Sequence, residues 1–478
     1  MTLQAPTLRP RVAVGPAAAV GVLGGALLAI AAAWLGSEAA GLVGLLALVN
    51  IGLCTFGIGR SVTRGTRPAA LVFYTFVLAW IVLPSAYLVG SGRAAWGDVY
   101  VMKAPSVTLA AQGVTLLAVA AFLAGSWRRP TEVIDEDDDD RPPVAVRDER
   151  RRRYIRGLIV TGIVVLPMVT VLNGGLANFF LSRSDRAAAL AAAGIGSGAS
   201  GAADVGLVRL LPMALAVAAL YLCLVEVRAL RHSGAPVDPA LVWLLVGAAF
   251  LWIVYANPIS NSRYTAIAPI LAFALLLWRW TRPRAGLVLA VGLLMGLYVL
   301  YPLANVFRTT QRSDTLTDVG LDVIAGPDFD GFQQVANTLI YVERYGLEWG
   351  HTLVSAALFF VPRGIWTDKS LPASIPVADA RGYSFTDLSE PLHAELYLNF
   401  GVAGVVVGLF LLGRVWARLD AAHLRSATTR LSEFVPYVAF AQLGLIRGPL
   451  GSLTPVFVTT GVLIWIGLKR SSAREASS

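Results

Sequence analysis

Charge and sulfur are what this sequence lacks. Only 14% of its 478 residues are Asp, Glu, Lys or Arg, while 56% are hydrophobic. Soluble domains carry about 25% charged residues, so a water-facing globular fold is excluded for most of the chain. The two cysteines, Cys54 and Cys223, both fall inside apolar runs. They offer neither a disulfide framework nor a thiolate metal site, and packing is their role. Lysine occurs only at Lys103, Lys369 and Lys469, so the net charge of +9 is carried by arginine. No internal repeat of fixed period is present.

What fills the chain is apolar runs of membrane-crossing length. A helix needs about 20 apolar residues to cross roughly 30 Å of hydrocarbon. Such windows recur at 13–34, 40–58, 70–90, 107–126, 155–173, 207–227, 240–257, 264–279, 285–304, 393–413, 433–447 and 450–468. The expected fold is all-α, a polytopic membrane protein of about twelve transmembrane helices. The first run has no convincing cleavage site and reads as an anchor. The organisation follows: helices 1–4 in 1–126, a charged linker 127–154, helices 5–9 in 155–304, a large loop 305–392, and helices 10–12 with a tail in 393–478.

Basic residues in short loops stay on the cytoplasmic side. With the N-terminus inside, Lys and Arg favour the inner side by about two to one, which places both termini in the cytoplasm. The acidic run Asp135–Asp140 then lies in the inner linker, where an unspaced carboxylate run reads as a solvated segment and not a metal site. Arginine gathered inside suits anionic lipid and gives no reason to expect nucleic acid.

Two longer segments face outward. Residues 174–206 loosen into AAAGIGSGASGAAD, a flexible composition. In 305–392, Phe332 to Tyr345 has helical composition, and Thr352 to Pro362 is apolar but too short to cross, as a re-entrant or interface-lying helix would be. Against the topology bias this side carries Arg183, Arg186, Arg209, Arg263, Arg308, Arg312, Arg344, Arg363, Arg381 and Arg447. Each alone can snorkel or pair with a carboxylate. Together they point to an anionic ligand, since the guanidinium fork donates two parallel hydrogen bonds to phosphoryl oxygens.

The stretch SEPLHAELYLNFGVAGVVVGLFLLG (389–413) concentrates polar chemistry at a membrane entrance. Ser389 is the expected N-cap, with Glu390 and Pro391 in the first turn. On a regular helix Glu390, His393 and Tyr397 share one face, and Glu395 and Asn399 nearly the opposite one. A neutral His393 could take a proton from a hydroxyl near neutral pH, oriented by Glu390; a plain interfacial histidine is the alternative. Glu395 and Asn399 suit interhelical hydrogen bonds above Gly404-Val-Val-Val-Gly408, a small-xxx-small pattern.

FFVPRGIWTDK (359–369) together with AELYLNFGVAG (394–404), behind a large outer loop and many spans, resembles the bacterial oligosaccharide repeat-unit polymerases, the Wzy-type O-antigen polymerases. GGLANFFLSRSDR (174–186) and NSRYTAIAP (261–269) are weaker echoes. The resemblance implies a GT-C-like membrane glycosyltransferase that joins polyprenyl-diphosphate-linked oligosaccharides on the outer face of the bacterial plasma membrane. It also implies a flippase and a chain-length regulator as partner proteins, and no metal or cofactor. Matching positions carry over Arg263, Arg363, Glu395, Tyr397 and Asn399, with Trp366 as a sugar platform. Ala394 departs from the glycine that often precedes the family's glutamate.

The expected reaction has His393, Glu390 or Glu395 accept a proton from the hydroxyl of one glycan, which attacks the anomeric carbon of another. Arg263, Arg308, Arg312, Arg363 and Arg447 would stabilise the diphosphate leaving group, and Trp366, Tyr397 and Asn399 would hold sugar. Ligase-type transfer of a lipid-linked glycan and a lipid-linked glycan flippase remain as alternatives. A transferase using polyprenyl-monophosphate sugars fits less well, because the first outer loop holds only Glu38.

Overall fold

The computed structural model describes residues 14–63, 65–97, 101–102, 104–127, 148–192, 199–278, 282–300, 321–386, 388–425 and 429–469. Among them every regular element is helical. The main helices are α1 (Val14–Leu35), α2 (Leu42–Val62), α3 (Pro68–Ser91, with a π-helical middle), α4 (Pro105–Ser126), α5 (Glu149–Val164), α6 (Leu166–Leu172), α7 (Arg183–Ala192), α8 (Ala199–Ser233), α9 (Pro239–Tyr255), α10 (Arg263–Leu277) and α11 (Pro283–Met295). They continue with α12 (Gly331–Tyr345), α13 (His351–Ala357), α14 (Ser374–Arg381), α15 (Leu392–Arg425), α16 (Arg430–Arg447) and α17 (Leu450–Gly467).

Among the described residues, each of the twelve apolar runs lies mainly on helix. Eight helices among the described residues are long and apolar enough to cross a membrane, and the bent pair α5–α6 makes a ninth when counted as one. The chain is a membrane-embedded, all-helical protein. α9 and α10 are apolar but short, and α16 carries charge at both ends (Arg430, Glu433 and Arg447).

The bundle is built around α3, whose apolar window is wholly buried. Phe73 of α3 stacks on Phe122 of α4 with centroids 3.5 Å apart. α4 and α15 cross at backbone contact: a Cβ at Gly125 would stand 2.0 Å from the Phe410 carbonyl oxygen, and one at Gly413 would stand 2.4 Å from that of Phe122. Glycine is what lets the two helices approach without a hydrophobic driving force in lipid.

Two expectations change. The linker to 154 is already helical from Glu149, because Asp148 caps α5 by accepting from the N–H groups of Arg150 and Arg151. Arg151 and Arg152 are buried there, Arg151 on Glu226 (3.0 Å) and Glu433 (3.7 Å), Arg152 on Asp238 (2.7 Å) and Glu226 (3.5 Å). The described part of the 305–392 segment touches the bundle where Trp80, in the middle of α3, donates to the Asp328 carbonyl at 2.8 Å. And α15 is not one straight rod from Ser389. It begins at Leu392 and breaks at Phe400 and Gly401, where Gly401 takes φ 61°.

That break reverses the chain. A Cβ at Gly404 would lie 2.4 Å from the Leu396 carbonyl oxygen, and one at Gly408 would meet the Leu396 side chain at 2.7 Å. In a straight helix residues 396 and 408 would be about 18 Å apart, so 392–399 folds back beside 402–410. The Gly404/Gly408 pair therefore receives the preceding segment of its own chain, not another span. The acidic run Asp135–Asp140, with Arg308 and Arg312, lies outside the described residues.

Candidate functional site

The folded-back segment carries its polar residues into the bundle. His393 is 5% exposed and lies 3.5 Å from the Thr115 hydroxyl, level with the middle of α4. Its other surroundings are apolar: Phe73, Val77, Ala118, Leu409 and Ile446 share a small cavity with it. Among the described residues no carboxylate is hydrogen-bonded to this histidine.

Glu390 is not on the helix. Its N–H donates to the Arg447 carbonyl at 3.1 Å, and its Oε1 accepts from the Thr338 hydroxyl at 2.6 Å. Ser389, expected as an N-cap, instead donates its hydroxyl to Asp330. The reason is the company it meets: a buried carboxylate needs donors, and Ser389 supplies two, hydroxyl and N–H. Glu390 and His393 therefore do not form one helical face.

Glu395 and Asn399 do share a face. The Asn399 amide donates to the Glu395 carbonyl at 2.7 Å and to the Thr352 hydroxyl at 2.6 Å. The Glu395 carboxylate accepts from the Leu450 N–H at 2.8 Å, at the first residue of α17, where the helix dipole favours negative charge. Three fully buried oxygens, Glu390 Oε2, Glu395 Oε1 and Asn399 Oδ1, have no hydrogen-bond partner among the described residues. A buried acceptor without a donor is rare in a settled core.

Asp330 is the carboxylate that organises the entrance. It is 1% exposed and accepts from the Trp96 indole N–H at 3.0 Å as well as from Ser389. Burial pushes its carboxyl above the ordinary range, opposed by the charge of Arg447 and the Ser389 and Trp96 donors. Burial also pushes Glu390 well above that range; the neighbouring charges of Glu395 and Asp330 add to the rise and the Thr338 bond opposes it. Behind them α12 buries Gln333, Gln334, Asn337 and Thr338. That i, i+1, i+4, i+5 polar stripe is the signal that could have been read in Phe332–Tyr345.

The cations are distributed unevenly. Arg447 ends α16 with its guanidinium 5.1 Å from the Tyr264 ring centre, and its charge is felt at Asp330. Arg363 is turned onto its own loop, donating to the carbonyls of Lys369 and of Ser370 (2.8 Å). Arg263 opens α10. Trp366 is half-buried, its ring 6.1 Å from that of His351, and Tyr397 packs partly buried against the core. The structure thus joins Glu390, Glu395, Asn399 and Arg447 in one region, while Arg363 spends its hydrogen bonds on its own loop. No family model, curated protein or solved structure matches the chain.

Proposed function

We propose that the chain is a membrane glycosyltransferase that joins polyprenyl-diphosphate-linked oligosaccharide units at the extracytoplasmic face of the bacterial plasma membrane, with about twelve spans in a GT-C-like arrangement and both termini inside. The observation that carries this reading is Glu395. One carboxylate oxygen is fixed by the Leu450 N–H while the other is buried without a donor among the described residues, in a region that also holds Arg447. A general base needs a free lone pair in a fixed direction. The sequence resemblance centred on Glu395, Tyr397 and Asn399 supports the same reading.

In this scheme the hydroxyl of the acceptor glycan gives its proton to Glu395, its oxygen bonds to the anomeric carbon of the donor, and the bond from that carbon to the diphosphate breaks. The electron pair leaves on the diphosphate oxygen, opposite Arg447, where preorganised positive charge stabilises it. Glu390 is the second carboxylate. His393, in its apolar setting, is given no proton to carry.

One observation favours a second reading, a lipid-linked glycan transporter: a helix broken at Phe400–Gly401 with polar residues level with the middle of α4 is a pattern that transporters share. The experiment that separates them deletes the gene from its host and returns the native, Glu395→Gln and Arg447→Ala versions. Single repeat units persisting on lipid, with the polymer ladder restored by the native gene alone, support polymerisation. Full-length polymer stranded on its lipid carrier indicates ligation, and repeat units confined to the inner leaflet indicate transport. A ladder restored in full by both variants refutes the assignment.

A further inference from the structure

We infer that residues 349–366 form a lipid-inserted wedge that seats the α15 break in the hydrocarbon of the bilayer. The inference does not depend on the enzymatic reading. It starts from exposure: Trp349 is 76% exposed, Ile365 80%, Phe360 64% and Val354 49%. Four large apolar side chains so close in sequence form a patch that a water-facing loop does not keep.

Two cations, Arg363 and Lys369, turn onto the backbone of this loop, and His351 reaches Asp368. The Lys369 ammonium donates to the carbonyls of Leu358 (3.1 Å), Phe359 (2.8 Å) and Val361 (2.8 Å), in the turn that follows α13. Arg363 donates to the carbonyls of Lys369 and Ser370, and the Ser355 hydroxyl accepts the Ser370 N–H at 3.0 Å. Burial and the charge of Arg363 lower the pKa of Lys369. Irregular backbone is tolerated at membrane depth only when its carbonyls and N–H groups are satisfied from within. This knot satisfies five carbonyls with two cations, which leaves its apolar side chains to face outward.

The patch is continuous with a surface that lipid must cover. A Cβ at Gly350 would stand 2.9 Å from the Phe400 ring, and Phe400 leads into the exposed Val402, Val406 and Phe410 of α15. Trp349 itself sits at φ 47°, a left-handed conformation that a bulky residue adopts only when its surroundings hold it there. The Glu348 N–H donates to the Leu398 carbonyl at 3.0 Å, so the wedge is pinned to the segment that carries Glu395. Asp368, with its side chain 93% exposed, marks the pole that faces water. The occupant is therefore the acyl-chain region of the bilayer.

The test is spin-label accessibility on the full chain. Trp349→Cys, Ile365→Cys and Asp368→Cys are labelled separately and reconstituted in palmitoyl-oleoyl phosphatidylethanolamine and phosphatidylglycerol vesicles. Cys54 and Cys223 are fully buried and stay in place, with the unsubstituted chain as background. The ratio of oxygen to nickel-chelate accessibility should be several-fold higher at 349 and 365 than at 368. Labels at 349 and 365 that meet the chelate as readily as the label at 368 would overturn the inference. So would labels shielded from both reagents, which would mean that protein covers the patch. Adding Lys369→Ala to the 365 variant should shift its label toward the chelate, and an unchanged ratio would overturn the role given to the internal caps.

Discussion

Two regions of this protein bury charge, and they do it in opposite ways. At the start of α5, Arg151, Arg152, Glu226, Glu433 and Asp238 form a network with both signs represented. The Arg152–Glu226 and Arg151–Glu433 contacts, at 3.5 and 3.7 Å, are close enough for charge attraction but too poorly aligned for hydrogen bonds. Around Glu390 and Glu395 the carboxylates instead meet one neutral donor each and keep a bare oxygen. The first arrangement ties α5, α8, α9 and α16 together and sets its carboxylates against guanidinium groups. The second leaves acceptor capacity unused in a place where it is expensive to leave it so. We read the first as structure and the second as a site.

The comparison breaks most sharply at Glu226. Glu226→Ala removes the partner that Arg151 and Arg152 share, and uncompensated buried charge costs about 3–5 kcal/mol. We expect the purified variant to lose most of its thermal stability in detergent or to fail to accumulate. Glu395→Gln removes a charge that has no ionic partner, so its thermal midpoint should stay near that of the native protein while glycan transfer falls by about a hundredfold or more. If both variants destabilise alike, the distinction between the two regions fails.

A smaller effect sits at the joint between Glu390 and α16. Gly448 has φ 61°, and a Cβ there would stand 1.7 Å from the Glu390 carbonyl oxygen. Gly448→Ala therefore must displace backbone, with a cost on the order of 1–3 kcal/mol. It should also lower activity although it touches no titratable group. Normal activity and stability in this variant would show that the Glu390 segment is not held where the structure puts it.

Much of the fold was legible because hydrocarbon imposes one period and one length. The apolar runs fall on helices throughout, and Glu395 and Asn399 share a face as their spacing requires. What could not be read was three-dimensional competition for donors. Ser389 has a favourable N-cap composition, yet Asp330, 59 residues away in sequence, takes its hydroxyl. The Gly404/Gly408 pair signals close approach without saying to what, and the answer is Leu396 of the same helix. Arg363 has the reach of a phosphate ligand, but the carbonyls of its own loop lie nearer. The polar stripe of α12 was visible in principle, since Gln333, Gln334, Asn337 and Thr338 recur at helical spacing.

The mildest test concerns protons. Burial raises the carboxyls of Glu390 and Asp330, so the folded chain keeps protons that the unfolded chain releases near the ordinary carboxylate range of about 4. Folding then binds protons, and stability falls as pH rises above that range, by up to about 1.4 kcal/mol per pH unit for each proton retained. Glu390→Gln keeps an acceptor for the Thr338 hydroxyl and removes one titration. Its thermal midpoint, followed in detergent from about pH 5 to pH 8, should therefore decline less steeply than that of the native protein. Identical slopes would mean that Glu390 is charged in the folded state and has a cationic partner, which would move it from the second kind of region to the first.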